Sequence, residues 1–329
     1  MRDPVTRTLE RTHVSRTGLV VGVWRGGNQI ALWHRGELPA GARSIFEIGS
    51  ITKVFTGTLL ADMARESLVR IHDRVSLHLP AGVELPSRGR EITLADLASH
   101  RSGLPGLPRS LLLPALTTRR RNPYADWDAE QLEAAIPRTR PRREPERRVR
   151  YSNYGVGLLG HLLARRAGTS YDDLVQQRIC RPLGMRDTGT GVDGGRLASG
   201  HNRRGRETPH WDFAALAGAG GLRSTAADLL AFLRLHADPS DRPLAVAARE
   251  TQRPRARFGS AHVGLGWMLL PPGAGNLPFE LLVHEGGTGG FRAFTALSPP
   301  NRVGVVVLAN QARGVGRLGL RVLTAAAGR

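Results

Sequence analysis

The first candidate catalytic residues are a serine and a lysine three positions apart. Ser50 and Lys53 lie in residues 46–55, FEIGSITKVF, where the chain is expected to enter a helix. Residues i and i+3 share one helix face, so Lys53 can reach back to Ser50. Free backbone N–H groups at a helix N-terminus also favour negative charge on the serine oxygen. The pair is interpreted as a nucleophile with its base, although a capping serine beside an unrelated lysine gives the same pattern.

Lys53 is the only lysine in a chain of 329 residues, since the remaining 46 of the 47 basic residues are arginine. Arginine stays protonated under ordinary conditions, whereas a buried lysine can lose its proton and act as a base. Phe55, Leu59 and Met63 recur at helical spacing and predict a helix over 54–66 that is buried on one face. Such a helix would keep water away from Lys53.

Two further clusters carry groups that suit acyl transfer. Tyr151 and Asn153 open a predicted helix, where a hydroxyl can relay a proton and an amide can hold a substrate. His284, Gly286 and Gly287 end one predicted strand, and a glycine there lets a substrate approach a backbone N–H that could stabilise an oxyanion. A polar helix cap and a glycine-rich hairpin with a surface histidine are the structural alternatives for these two clusters.

These residues need a scaffold of strands from both ends of the chain. Runs at 19–24 and 29–34, separated by the turn 25–28, predict a hairpin, and runs at 280–284, 291–298 and 303–308 predict further strands. Helices are expected over 3–14, 128–136, 155–167, 225–236 and 314–327, with a capping box at Thr93 and Asp96. We predict an α+β fold in which an antiparallel sheet is flanked by helices and a mostly helical lobe is inserted. The expected division is 1–70, 71–215 and 216–329, the first and last parts forming one α/β domain.

The formal net charge of +19 raises the question of a nucleic-acid partner. The basic runs at 119–121 and 138–150 contain no interleaved aromatic residues for base stacking, so a solvated loop is favoured over a nucleic-acid site. The Pro- and Arg-rich segment 104–150 is where a lid is predicted. An acidic carrier protein is an alternative partner for it.

Other functional classes receive little support from the sequence. Residues 155–160, GVGLLG, formally fit a dinucleotide fingerprint, but arginines rather than an apolar strand precede them. No metal or cofactor is indicated, and Cys180 is interpreted as a packing residue. No apolar run has the length of a membrane span, and the polar N-terminus predicts a cytoplasmic location.

Together the three clusters resemble the serine β-lactamase and penicillin-binding protein superfamily, whose elements are Ser-x-x-Lys, Tyr-x-Asn or Ser-x-Asn, and Lys-Thr-Gly or a relative. The likeness is strongest with the class C-like branch of esterases, D-aminopeptidases and transacylases, where His-x-Gly commonly replaces Lys-Thr-Gly. The stretches LASHRSGLP at 97–105, RPLGM at 181–185 and GGLRSTAADL at 220–229 add to it. The resemblance spans residues 46–310.

This resemblance implies that Ser50 attacks an acyl carbonyl while Lys53 and Tyr151 share the base and acid roles. Asn153 would contact the acyl side chain, His284 would border the site, and the N–H groups of Ser50 and Gly287 would form the oxyanion hole. Two departures from the family pattern are His284-Glu285-Gly286 in place of Lys-Thr-Gly, and Pro145-Glu146 where relatives usually show Pro-Gly.

The sequence therefore predicts an acyl-Ser50 enzyme acting on a small ester, thioester or amide donor. Because the N-terminus is polar, an intracellular esterase or a transacylase using an amine or alcohol acceptor is favoured. A D-peptidase or β-lactamase is the first alternative, and an inactive ligand-binding relative is the second.

Overall fold

The computed structural model describes residues 3–11, 18–108, 122–125, 127–273 and 277–328. Its strands are β1 (Leu19–Arg25), β2 (Ile30–Arg35), β3 (Phe46–Glu47), β4 (Gly200–His201), β5 (Glu207–Thr208), β6 (Arg223–Ser224), β7 (Ala256–Phe258), β8 (Ala261–Val263), β9 (Met268–Leu270), β10 (Leu281–Gly287), β11 (Arg292–Ser298) and β12 (Val303–Ala309). Its helices are α1 (Pro4–Glu10), α2 (Thr52–Arg65), α3 (Leu94–Ala98), α4 (Ala129–Ala135), α5 (Asn153–Ala167), α6 (Tyr171–Val175), α7 (Arg181–Leu183), α8 (Ala226–His236), α9 (Pro243–Glu250) and α10 (Gly316–Ala326).

One antiparallel sheet of eight strands organises the fold, in the order β2-β1-β12-β11-β10-β9-β8-β7. The chain enters the sheet through the hairpin of β1 and β2 and returns to it after residue 255. β12 then pairs with β1, with Val21 opposite Val307. The two ends of the chain therefore lie side by side in the sheet, and the predicted α+β fold is confirmed.

Both faces of the central strands are buried, because helices cover the sheet on each side. Val21 and Val23 of β1 pack with α1 and α10 on one face, whereas Val20 and Trp24 alternate to the other face. On that second face Gly22 has room only for hydrogen, since a Cβ there would lie 2.9 Å from Leu230 of α8. This double burial explains why β1 and β12 read as nearly continuous apolar runs.

The helix α2 is surrounded on all sides, which corrects the expectation that only one face is buried. Every residue from Thr52 to Met63 is buried. The helix packs against α3, α5, α9 and a 3₁₀ segment at Ala214–Ala219. At Gly57 a Cβ would lie 2.2 Å from the carbonyl oxygen of Leu265, so a loop also approaches the helix backbone closely. Enclosure by distant parts of the chain, rather than the spacing of apolar residues, decides this burial.

Local capping signals account for most helix starts. Thr93 and Asp96 form the predicted capping box at α3, and the side chains of Ser152 and Thr225 cap α5 and α8. The helices expected near 128–136, 155–167 and 225–236 are confirmed by these elements. Cys180 is confirmed as a core residue, and burial raises the pKa of its thiol to about 12.

Several elements were not expected, or lie outside the described residues. The three-residue strands β7, β8 and β9 extend the sheet, and their shortness leaves no alternation to detect. Residues 12–14 of the first expected helix, and residues 109–121 and 126 of the expected lid, lie outside the described residues. The division at 70 and 215 remains a prediction. Within the described part of the chain, no helix has the length and apolar character needed to cross a bilayer.

Candidate active site

Ser50 lies in a 3₁₀ turn, Gly49–Ile51, that leads directly into α2. The edge of β10 is pressed against this turn. Gly49 has φ +50°, and a Cβ there would lie 2.5 Å from the backbone N of Gly287. A Cβ on Gly286 would lie 1.8 Å from the carbonyl oxygen of Ile48 and 3.2 Å from the N of Ser50. Glycine at 49 and 286 therefore permits the backbone contact that brings Gly287 to the serine turn.

Lys53 lies one helical turn after Ser50 and is entirely buried. Its Nζ is 2.8 Å from Ser50 Oγ and donates to the carbonyl oxygen of Ala219 at 2.5 Å. Burial lowers the pKa of the Lys53 amine well below its ordinary value. The short contact to Ser50 and the lowered pKa together suit an amine that accepts the serine proton.

Tyr151 completes the group around Ser50. Lys53 Nζ lies 4.9 Å from the centroid of the Tyr151 ring, and the Tyr151 hydroxyl interacts with Ser50. The residue exposes 47 % of its surface, but the crowded surroundings of the hydroxyl dominate and raise its pKa, with the interaction with Ser50 opposing the shift. Tyr151 therefore carries its proton in the resting site.

Asn153 is the first residue of α5, behind the N-cap Ser152. Its Nδ2 donates to the hydroxyl of Tyr124 at 3.0 Å, and its Oδ1 is buried with no hydrogen-bond partner among the described residues. Tyr124 stacks on Phe213 at 4.4 Å and approaches Trp211 at 5.7 Å between ring centroids. The unsatisfied Oδ1 is available to accept a hydrogen bond from a ligand.

His284 is buried beside Lys53 and does not present a cation. Its Nδ1 lies 2.8 Å from the carbonyl oxygen of Glu285, and since a carbonyl only accepts, Nδ1 is the donor. Burial, followed by the proximity of Lys53, lowers the pKa of His284 to about 3. The imidazole that replaces the lysine of Lys-Thr-Gly is thus neutral near pH 7.

Sequence reasoning missed two residues at this site. His100 packs its ring on Tyr151 at 4.4 Å, and Tyr124 contacts Asn153. Each had a weak signal, since His100 lies within the LASHRSGLP stretch and Tyr124 is the only tyrosine of the predicted lid. Within the described ranges, no three His, Cys, Asp or Glu side chains are grouped to hold a metal ion.

Sequence comparisons match most of the chain to one family. A family model described as Beta-lactamase matches residues 6–328. The chain is 28% identical over 303 residues to the D-alanyl-D-alanine-carboxypeptidase/endopeptidase AmpH of Escherichia coli K12, covering 86% of this chain and 76% of that protein. It is 27% identical over 310 residues to a Beta-lactamase of Pseudomonas fluorescens, covering 83% of this chain and 81% of the relative.

Solved structures show the same architecture. A class C β-lactamase from Rhodobacter sphaeroides superposes with a TM-score of 0.81 at 26% identity and covers 98% of both chains. The D-alanine carboxypeptidase AmpC from Burkholderia cenocepacia superposes with a TM-score of 0.82 at 25% identity, covering 99% of this chain and 97% of that structure.

Proposed function

Since the chain belongs to the β-lactamase family, we propose that it is a serine hydrolase that cleaves the amide bond before a terminal D-alanine or within a β-lactam ring. Acyl-serine chemistry is common to the family. The substrate class is proposed because relatives across this chain's length are named D-alanyl-D-alanine carboxypeptidase and β-lactamase. The observation that carries the chemistry is the 2.8 Å contact between Lys53 Nζ and Ser50 Oγ.

The first half-reaction forms the acyl-enzyme. The neutral amine of Lys53 accepts the Ser50 proton as Oγ attacks the carbonyl carbon. The N–H groups of Ser50 and Gly287 stabilise the oxyanion that forms. As the intermediate collapses, the amide nitrogen leaves with a proton supplied through the Tyr151 hydroxyl, which Lys53 then restores.

In the second half-reaction water attacks the acyl-Ser50 carbonyl, and its proton passes through the Tyr151 hydroxyl to the Lys53 amine. Ser50 Oγ leaves and takes this proton back from Lys53, which restores the starting site. Asn153 orients the acyl group through its unsatisfied Oδ1 and its Nδ2. Tyr151 serves as a relay because its raised pKa keeps the hydroxyl protonated at rest.

The test supplies the purified protein with three donors: a peptide ending in D-Ala-D-Ala, a chromogenic cephalosporin and a p-nitrophenyl ester. Released D-alanine, ring opening and p-nitrophenol are measured, and intact mass spectrometry detects an acyl group on Ser50. The Ser50→Ala variant is the control. Turnover of the ester alone would refute the proposed substrate class while retaining the acyl-serine chemistry.

A second candidate function is an esterase or transacylase, which the neutral His284 favours. A protonated lysine at that position would offer a positive charge to the carboxylate of a D-peptide or β-lactam, and a neutral imidazole does not. Adding amine or alcohol acceptors to the ester assay distinguishes transfer from hydrolysis. A ligand-binding relative without activity would leave Ser50 unlabelled by every donor. The cytoplasmic location and the acidic carrier partner remain predictions.

A further inference from the structure

A short segment after α3 runs beside the chain that carries Tyr151. The N–H of Arg150 donates to the carbonyl oxygen of His100 at 2.8 Å. Farther along, the N–H of Tyr154 donates to the carbonyl oxygen of Gly106 at 3.1 Å. Main-chain hydrogen bonds therefore attach this segment to residues on both sides of the tyrosine.

His100 contacts three consecutive residues, Arg150, Tyr151 and Ser152. Besides the bond from Arg150 to its carbonyl, its Nδ1 accepts from the N–H of Ser152 at 3.3 Å. Between these two attachments its ring packs against the ring of Tyr151, with centroids 4.4 Å apart and planes inclined by 36°. One histidine thus holds the residues before and after Tyr151 and supports the ring itself.

The backbone of His100 adopts a conformation that glycine or asparagine would adopt more readily. Its φ is +60°, in the left-handed region where a side chain costs about 1–2 kcal/mol. The residue is nevertheless almost completely buried, with 3 % exposed. A strained, buried side chain packed against Tyr151 points to a requirement for the imidazole itself.

We propose that His100 is a positioning residue that holds the hydroxyl of Tyr151 against Ser50 during acyl transfer. Tyr151 needs such support, because 47 % of its surface is exposed and solvent borders its ring. A displacement of about 1 Å in a catalytic group can reduce the rate about 100-fold.

The protonation state of His100 agrees with this role. Because Nδ1 accepts from a backbone N–H, the ring proton is on Nε2 and the imidazole is neutral. Burial, then the proximity of Lys53 and His284, lowers the pKa of His100 well below its ordinary value. His100 is therefore not the base that receives the Ser50 proton, and it acts through Tyr151.

The proposal rests on the proposed acyl-Ser50 chemistry but not on the identity of the natural substrate. Its test uses a fluorophosphonate probe, and the labelling rate of Ser50 is followed by intact mass spectrometry. His100→Gly removes the ring while relieving the left-handed backbone. His100→Asn retains an acceptor near the Nδ1 position and tolerates that backbone, whereas His100→Gln is longer and places its acceptor elsewhere.

We expect His100→Gly to label about 100-fold more slowly than the parent protein, and His100→Asn to recover only part of that loss, because it keeps the acceptor but not the ring. His100→Gln should label more slowly than His100→Asn, because its acceptor lies elsewhere. This pair of variants tests the proposal even if His100→Gly does not fold. Ser67→Gly, another left-handed residue (φ 59°) at the opposite end of α2, is the control and should label normally. Melting temperatures are recorded for all variants, and rates are compared well below the lowest of them.

A double-mutant cycle with Tyr151→Phe separates positioning from a general structural effect. If His100 acts through the tyrosine hydroxyl, changing His100 in the Tyr151→Phe background should slow labelling less than about threefold. Equal losses in both backgrounds, or a His100→Gly rate equal to the parent, would overturn the proposal. A labelled parent that does not cleave D-alanyl peptides would refute only the proposed substrate. A parent that is never labelled would refute the acyl-serine chemistry and this proposal together.

Discussion

Lys53 Nζ lies 2.8 Å from Ser50 Oγ at the start of a helix that has no solvent-exposed face before residue 64. The carbonyl oxygen of Ala219 accepts a second hydrogen bond from the same nitrogen. A neutral amine has two hydrogens and one lone pair, so a hydrogen directed at Ala219 helps to orient the lone pair. The base and its orientation are thus supplied by two segments that lie 166 residues apart.

Lys53→Arg should strongly slow acylation despite retaining a basic residue. A guanidinium stays protonated and cannot accept the Ser50 proton, so labelling of Ser50 should slow by about 10³-fold. The measurement is the rate of fluorophosphonate labelling. Arg242→Lys, a highly exposed exchange, is the control and should leave the rate unchanged. A Lys53→Arg rate within about tenfold of the parent would contradict the assignment of Lys53 as the base.

Gly286→Ala should disrupt the serine turn. The new methyl group would lie 1.8 Å from the carbonyl oxygen of Ile48, so β10 must move away from Ser50. We expect at least about a 100-fold loss of Ser50 labelling, because the oxyanion donors separate. Gly314→Ala adds the same methyl group with no atom within 4 Å and is the matched control. Normal labelling of Gly286→Ala would argue against a tight fit between β10 and the turn.

Glu146 has a glycine-like backbone, with φ +69°. Its carboxylate is paired with Arg90 at 3.0 Å and Arg101 at 3.3 Å, although half of the side chain is exposed. Glu146→Gly loses these pairs but relieves the strain, whereas Glu146→Ala loses the pairs and keeps the strain. The glycine variant should therefore have a free energy of unfolding about 1 kcal/mol above that of the alanine variant.

Denaturant unfolding of the parent and both Glu146 variants measures this difference. Both variants should retain Ser50 labelling if they fold. An alanine variant as stable as the glycine variant would show that the left-handed backbone is not strained.

Stability should fall as the pH drops below the ordinary histidine range. Burial lowers the pKa of His236 to about 4 from about 6.5, and its neighbours Thr58, Phe232 and Trp267 carry no charge. Between these pH values the unfolded chain binds a proton that the folded chain does not, so the free energy of unfolding rises with pH. The contribution of neutral His236 to the free energy of unfolding is complete above about pH 6.5 and is lost as the pH falls towards 4.

In the His236→Asn variant, the slope of the free energy of unfolding against pH should be smaller than in the parent by about 1.4 kcal/mol per pH unit between pH 4.5 and 6. Denaturant unfolding measures this slope. His284 and His100 titrate in the same direction and leave a residual slope in the variant. Ser67→Asn exchanges an exposed residue without a titratable group and should leave the slope of the parent unchanged. Identical slopes for the parent and His236→Asn would mean that His236 is not held neutral.

Local sequence patterns were sufficient to predict most of the longer elements and the chemistry of single motifs. Alternating and helical spacing predicted the hairpin of β1 and β2, the strands β10 to β12 and the capped helices, because these patterns are local. The i, i+3 spacing of Ser50 and Lys53 predicted their contact for the same reason. The three-residue strands β7 to β9 were too short to leave such a pattern.

The surroundings of these motifs depend on the tertiary fold. It brings Tyr151 and the β10 edge to Ser50, adds His100 and Tyr124, encloses α2 on every side and makes His284 a neutral imidazole. Hydrogen-bonding geometry within one helical turn is encoded by neighbouring residues. Desolvation depends on atoms contributed by distant segments, so the charge states of Lys53 and His284 are properties of the packed fold.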